Sequence, residues 1–107
     1  MAGDFTSSPI TSYKIVFYGN DGRSEIGAFI HCYHNNQNVM TCTFYNDANN
    51  VPPNSKGARV DLRYPITQFE NVLNILRNEG PLFFGYINSS KTGYIASGSE
   101  PVGEGEA

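Results

Sequence analysis

Apolar and polar residues alternate with a period of two over most of this chain and switch once to a helical period, which predicts six strands and one helix. Tyr13, Ile15 and Phe17 alternate with Lys14 and Val16, and Ile26, Ala28, Ile30 and Cys32 alternate with Phe29, His31 and Tyr33. Asp21-Gly22 lies between the two runs, and Asp-Gly suits a type I′ turn, whose two central residues need positive φ. A hairpin over residues 12–34 is therefore expected, with Phe17 opposite Ile26, Ile15 opposite Ala28 and Tyr13 opposite Ile30. The polar cluster Asn35-Asn36-Gln37-Asn38 precedes a strand over 39–46, in which Met40, Cys42 and Phe44 alternate with Thr41, Thr43 and Tyr45. A three-residue loop, 36–38, with Asn38 in the left-handed region would set Ile30 against Phe44 and Cys32 against Cys42. A slip of one residue would bring Ile30 against Thr43, which burial disfavours.

Residues 47–57 turn to Asn and Pro with single Ser and Lys residues, and Pro52-Pro53 lacks ladder donors, so this stretch reads as a long loop. A strand over 58–64 follows, with Ala58, Val60, Leu62 and Tyr64 facing inward and Arg59, Asp61 and Arg63 outward, ended by Pro65. Thr67 is the expected helix N-cap, with Glu70 completing a capping box. Phe69, Val72, Leu73 and Leu76 then form one apolar stripe, and Gly80 is the expected left-handed stop before Pro81. A last hairpin pairs 82–87 with 94–97 across 88–93. The fold class this predicts is α+β: a curved antiparallel sheet in ββββ-α-ββ order with one amphipathic helix packed on one face. Residues 1–8 are expected to be a flexible N-terminus, 9–97 a single domain and 98–107 a disordered acidic tail, since the tail has little apolar surface to offset its ordering entropy.

With 107 residues the chain has room for one core. Seven Phe and seven Tyr without any Trp favour strands over helices. A net charge of −3 supplies no overall field to attract nucleic acid, so any such binding needs a local basic patch. The first ten residues lack the pattern of a secretory signal and no apolar run is long enough to span a membrane, which makes a cytoplasmic protein the expectation.

A helix on one face leaves the other face of the sheet open. By parity that face carries Lys14 and Tyr18, then Phe29, His31 and Tyr33, then Thr41, Thr43 and Tyr45, then Arg59, Asp61 and Arg63. Rings beside cations on a β surface suit single-stranded nucleic acid, whose bases stack on aromatics while Lys and Arg follow the phosphates. Lys14, Phe29, Tyr33, Tyr45, Lys56, Arg59 and Arg63 are accordingly the candidate nucleic-acid-binding residues, with single-stranded DNA or RNA as the partner. The alternative is a protein interface on the same face, to a partner protein or a second copy, or coverage of the face by the hairpin that begins at Leu82.

The stretch from Phe44 to Leu76 combines a strand, a Pro-containing loop ending in Lys56-Gly57, an alternating strand and a helix opening Thr67-Gln68-Phe69. In this it resembles the second half of the PC4-like single-stranded DNA-binding domain, to which the whirly proteins are related. The resemblance implies a curved antiparallel sheet followed by an amphipathic helix, a homodimer, and single strands bound across the sheet. It matches Lys56 to the family's basic loop residue and Phe69 to its first-turn aromatic. The extra hairpin after the helix, the acidic balance and the scarcity of clustered lysines depart from that pattern.

Chemistry of other kinds finds little support. His31 and His34 are three apart on one strand and so point to opposite faces. Cys32, His34 and Cys42 share a face and offer soft ligands, yet no fourth ligand and no C-x-x-C pair accompanies them, so no metal or other cofactor is expected. Asp21 and Glu25 are the nearest carboxylates, and turn chemistry accounts for Asp21. A non-catalytic binding domain is the expectation.

Overall fold

The structure is a computed structural model that describes residues 4–19 and 25–98. The expected Asp21-Gly22 turn lies outside the described residues, as do all of the expected acidic tail but Gly98 and all but residues 4–8 of the expected flexible N-terminus. The chain is α+β. Its strands are β1 (Phe5–Ile10), β2 (Ser12–Phe17), β3 (Ile26–His34), β4 (Gln37–Tyr45), β5 (Ser55–Lys56), β6 (Val60–Pro65), β7 (Leu82–Ile87) and β8 (Thr92–Ser97), with one α-helix, α1 (Phe69–Asn78). They form a five-stranded sheet in the order β2-β3-β4-β6-β5 and a three-stranded sheet in the order β1-β7-β8.

Most of the inward residues are those the alternation selects, but Ala58, expected to face inward, is exposed ahead of β6, and Ile15 and Phe17 on the edge strand β2 are 40% and 66% exposed. Ala28, Ile30 and Cys32 on β3 and Met40, Cys42 and Phe44 on β4 are fully buried, and Val60 and Leu62 on β6 are nearly so. Val72 and Leu76 of α1 and Leu82, Phe84 and Tyr86 of β7 join the same core. Helix and second sheet thus lie together on one face of the five-stranded sheet. A Cβ added at Gly93 would meet the side chain of Leu62, so β8 crosses directly over β6 on that face. The closing hairpin therefore does not cover the opposite face. At the helix start Phe69 packs edge-on against Phe44 and stacks on Phe17, each at 5.1 Å between ring centroids.

Registers differ from expectation by two residues in both hairpins. Phe17 pairs with Ala28, Ile15 with Ile30 and Tyr13 with Cys32. Ile30 pairs with Cys42 and Cys32 with Met40, so the two cysteines are diagonal neighbours and not opposed. The second hairpin turns at Asn35 and Asn36, whose φ values of 52° and 71° are those of a two-residue primed turn. Asn38, where the positive φ was expected, instead sends its side-chain amide to the carbonyls of Cys32 and Met40, each at 3.0 Å. The ladder skips Val39 and Gly27, where β4 and β3 bulge.

Three further differences have local causes. β4 and β6 run parallel, which the long loop between them permits, because a parallel pair needs a crossover of a dozen or more residues. The polar N-terminal stretch is ordered from Phe5: β1 pairs with β7, buries Ile10, and tolerates Pro9 as an edge strand. Asp4 fastens it by accepting from the Ser89 amide (2.9 Å) and hydroxyl (3.2 Å). Finally, Ile66–Gln68 form a 3-10 turn before α1, no side chain caps the helix, and the chain leaves it through extended Glu79, so neither a Thr67 cap nor a left-handed Gly80 occurs.

Candidate nucleic-acid interface

Cross-strand partners share a face, so the registers define the outer surface row by row. Lys14, His31, Thr41 and Asp61 form one row across β2, β3, β4 and β6, and Val16, Phe29, Thr43 and Arg63 form the next. The helix and the second sheet pack on the opposite, core face. Three rings run along one edge of this surface: Tyr18 meets Phe29 edge-on at 5.9 Å, and Phe29 stacks on His31 at 5.5 Å with an interplanar angle of 16°.

Thr41 is 1% exposed although it faces outward, because its neighbours lean over it. Arg59 Nε donates to Thr41 Oγ1 at 3.2 Å, and His31 Nδ1 lies 3.0 Å from the same oxygen. A hydroxyl carries one proton and two lone pairs, so it can accept from Arg59 and donate to a neutral His31. Burial lowers the His31 pKa from its ordinary value, and the charges of Lys14 and Arg59 lower it further against the opposing pull of Asp61. His31 is therefore neutral at pH 7.

Asp61 lies between the two arginines, 4.0 Å from Arg59 Nε and 3.9 Å from Arg63 Nη2. Partly exposed pairs at such distances hold their partners weakly. Arg63 is also tied down elsewhere, since Nη1 donates to the Pro53 carbonyl at 2.6 Å and its backbone N–H donates to Asn54 Oδ1 at 2.8 Å. Lys14, Arg59 and Arg63 thus set three cations against one carboxylate on this face.

Of the residues singled out from sequence, Lys14, Phe29, Arg59 and Arg63 come together here. Tyr33 lies farther along β3, paired with Ser12 and Asn38. Tyr45 stands one row beyond Thr43 on the same side of β4, paired with Ile26 and Pro65, and lines a cavity of about 520 Å³ with Glu25, Asn46, Asp47 and Asn50. Lys56 is turned away, because its ladder partner is Val60, whose side chain is in the core. Conversely Tyr18 and His31, which the alternation put on this face without a binding role, are central to its ring row.

The two thiols stand on the core side, free and buried. A hydrogen bond that the protonated Cys42 thiol makes to Cys32, together with burial, pushes the Cys42 pKa up, which keeps it protonated and unreactive. Among the described residues no three His, Cys, Asp or Glu side chains gather as metal ligands, and no helix is long and apolar enough to cross a membrane. No family model, curated protein or solved structure matches the chain.

Proposed function

We propose that this chain is a non-catalytic binding domain that takes single-stranded nucleic acid across the outer face of its five-stranded sheet. The observation that carries this reading is the row Tyr18, Phe29 and His31 beside Lys14, Arg59 and Arg63 on one face of the sheet. Base stacking is worth about 1–3 kcal/mol per base, and the cations add a salt-dependent attraction to phosphates. Two free, buried thiols accord with a reducing, cytoplasmic setting. Fluorescence anisotropy of a labelled single-stranded oligonucleotide, at low and at physiological salt with a duplex control, tests the reading. Salt-sensitive preference for the single strand is expected; no binding at low salt overturns it.

A second reading, pairing with a second copy of this chain, is favoured by β2. It is an edge strand whose Ile15 and Phe17 are 40% and 66% exposed. Tyr18 N donates to the Gly27 carbonyl (2.9 Å), which by alternation turns the backbone groups of Tyr13, Ile15 and Phe17 to the free edge. Antiparallel self-pairing centred on Ile15 would set Tyr13 against the second copy's Phe17 and keep the Lys14 side chains from facing each other. Sedimentation should show a dimer that Ile15→Lys converts to monomer; a wild-type monomer overturns this pairing.

A further inference from the structure

A second concave feature lies at the β5–β6 edge, where the five-stranded sheet meets β1. It is a cleft of about 240 Å³ whose lining includes Thr6, Ser8, Asn38, Lys56, Arg59 and Phe84. Lys56 and Arg59 bring two cations to it, and no Asp or Glu lines it. Lys56 is exposed and has no acidic partner among the described residues. Hydroxyls from Thr6 and Ser8 and the Asn38 amide add short polar groups, while buried Phe84 contributes apolar floor.

Arg59 connects this cleft to the outer face. Its Nε reaches Thr41 Oγ1 in the His31 row, yet the same side chain lines the cleft. Lys56 stands on the other side of the sheet edge, opposite Val60. A strand lying along the ring row would meet Arg59, turn over this edge and run into the wall made by β1. That geometry suits the end of a chain better than its middle. Charge argues the same: an internal phosphodiester carries one negative charge, whereas a phosphate monoester carries about −1.5 to −2 at pH 7, which suits two cations whose one carboxylate neighbour, Asp61, stands 4.0 Å from Arg59 and does not line the cleft.

We infer that the cleft bounded by Lys56, Arg59, Thr6 and Ser8 is a subsite for the terminal phosphate of a nucleic-acid strand lying on the outer face. This rests on the reading of that face given above. The subsite would make the protein sensitive to the chemistry of strand ends, and it gives Lys56 a role that its position off the outer face otherwise denies it.

The test compares three labelled oligonucleotides of one sequence, ending in a 5′-phosphate, a 3′-phosphate or hydroxyls only, against the wild type and Lys56→Gln. One phosphorylated end is expected to bind about tenfold tighter than the hydroxyl-ended strand, the scale of one added charge-assisted contact. Lys56→Gln should erase that difference. Equal binding of all three strands, or a preference that survives Lys56→Gln, overturns the subsite and leaves the outer-face reading standing. Failure of all three to bind overturns both. The Lys56 residue is exposed and only its backbone pairs, with Val60, so the variant is expected to fold, and its thermal midpoint checks this.

Discussion

His31 Nδ1 lies 3.0 Å from Thr41 Oγ1, a contact that holds the imidazole in the ring row, where burial and the charges of Lys14 and Arg59 favour its neutral form. The consequence is a pH dependence of defined sign. Because the folded pKa is below the ordinary 6.5, the unfolded chain takes up the proton first as pH falls. The stabilisation is fully present above 6.5 and is lost as pH falls through the folded value. Between about pH 7 and about pH 5 the wild type should lose more thermal stability than His31→Gln. Binding of an anionic strand has the opposite sign, since phosphate favours imidazolium: oligonucleotide affinity should tighten on acidification in the wild type and stay flatter in His31→Gln. Midpoints that fall in parallel for both proteins would remove His31 from the account.

The two arginines of the outer face should separate under mutation. Arg59 is bonded to Thr41 and paired loosely with Asp61, with its side chain 45% exposed, so Arg59→Ala is expected to stay within about 0.5 kcal/mol of the wild type. Arg63 is 22% exposed and fastens the Pro53 carbonyl, so Arg63→Ala should cost about 1–2 kcal/mol by urea unfolding. Against single strands, Arg59→Ala should lower the slope of log affinity on log salt by about 0.7, one phosphate contact. A double Arg59→Ala, Arg63→Ala variant is expected to abolish binding, with the stability loss coming from Arg63.

Which face each residue takes was legible in the alternation, whereas the register was not, and the physical reason is the period itself. Burial specifies a register only modulo two: opposing Ile15 to Ala28 or to Ile30 satisfies the core equally. The choice falls to turns and bulges. Asn35 and Asn36 both accept positive φ, and Val39 and Gly27 each add a residue to one strand, details that no apolar pattern announces. The same limits explain the candidate site. Lys14, Phe29, Tyr45, Arg59 and Arg63 follow from parity, while Lys56 belongs to a two-residue strand hidden in an Asn- and Pro-rich loop. β1 escaped notice because Thr6, Ser7, Ser8 and Pro9 carry no apolar alternation, and hydrogen bonds to β7 and its following turn hold it in place.

Gly93 is required by close packing. A Cβ there would collide with the Leu62 side chain, and Leu62 is 1% exposed, with no room to retreat. Gly93→Ala should therefore cost about 1–3 kcal/mol, the range of overpacking. A pairing Gly93→Ala with Leu62→Ala should recover part of that loss relative to the sum of the single variants. Simple additivity in urea titrations would show that the second sheet does not press on β6 at this point.

The helix stripe provides the last comparison. Leu73 and Leu76 are similarly buried, at 8% and 6% exposure, and their spacing makes them look equivalent. They are not, because Leu76 belongs to the contiguous core with Val72, Leu82 and Phe84, whereas Leu73 stands outside it. A cavity opened at Leu76 would be walled by two sheets that cannot collapse onto it, and the penalty for a buried leucine is greatest where the site cannot relax. Leu76→Ala is expected to fall in the upper part of the range of about 2–5 kcal/mol and Leu73→Ala at its lower end. Chemical unfolding of both variants under one condition checks this, and equal losses would mean that α1 contributes to the core along its whole stripe and not chiefly through its C-terminal half.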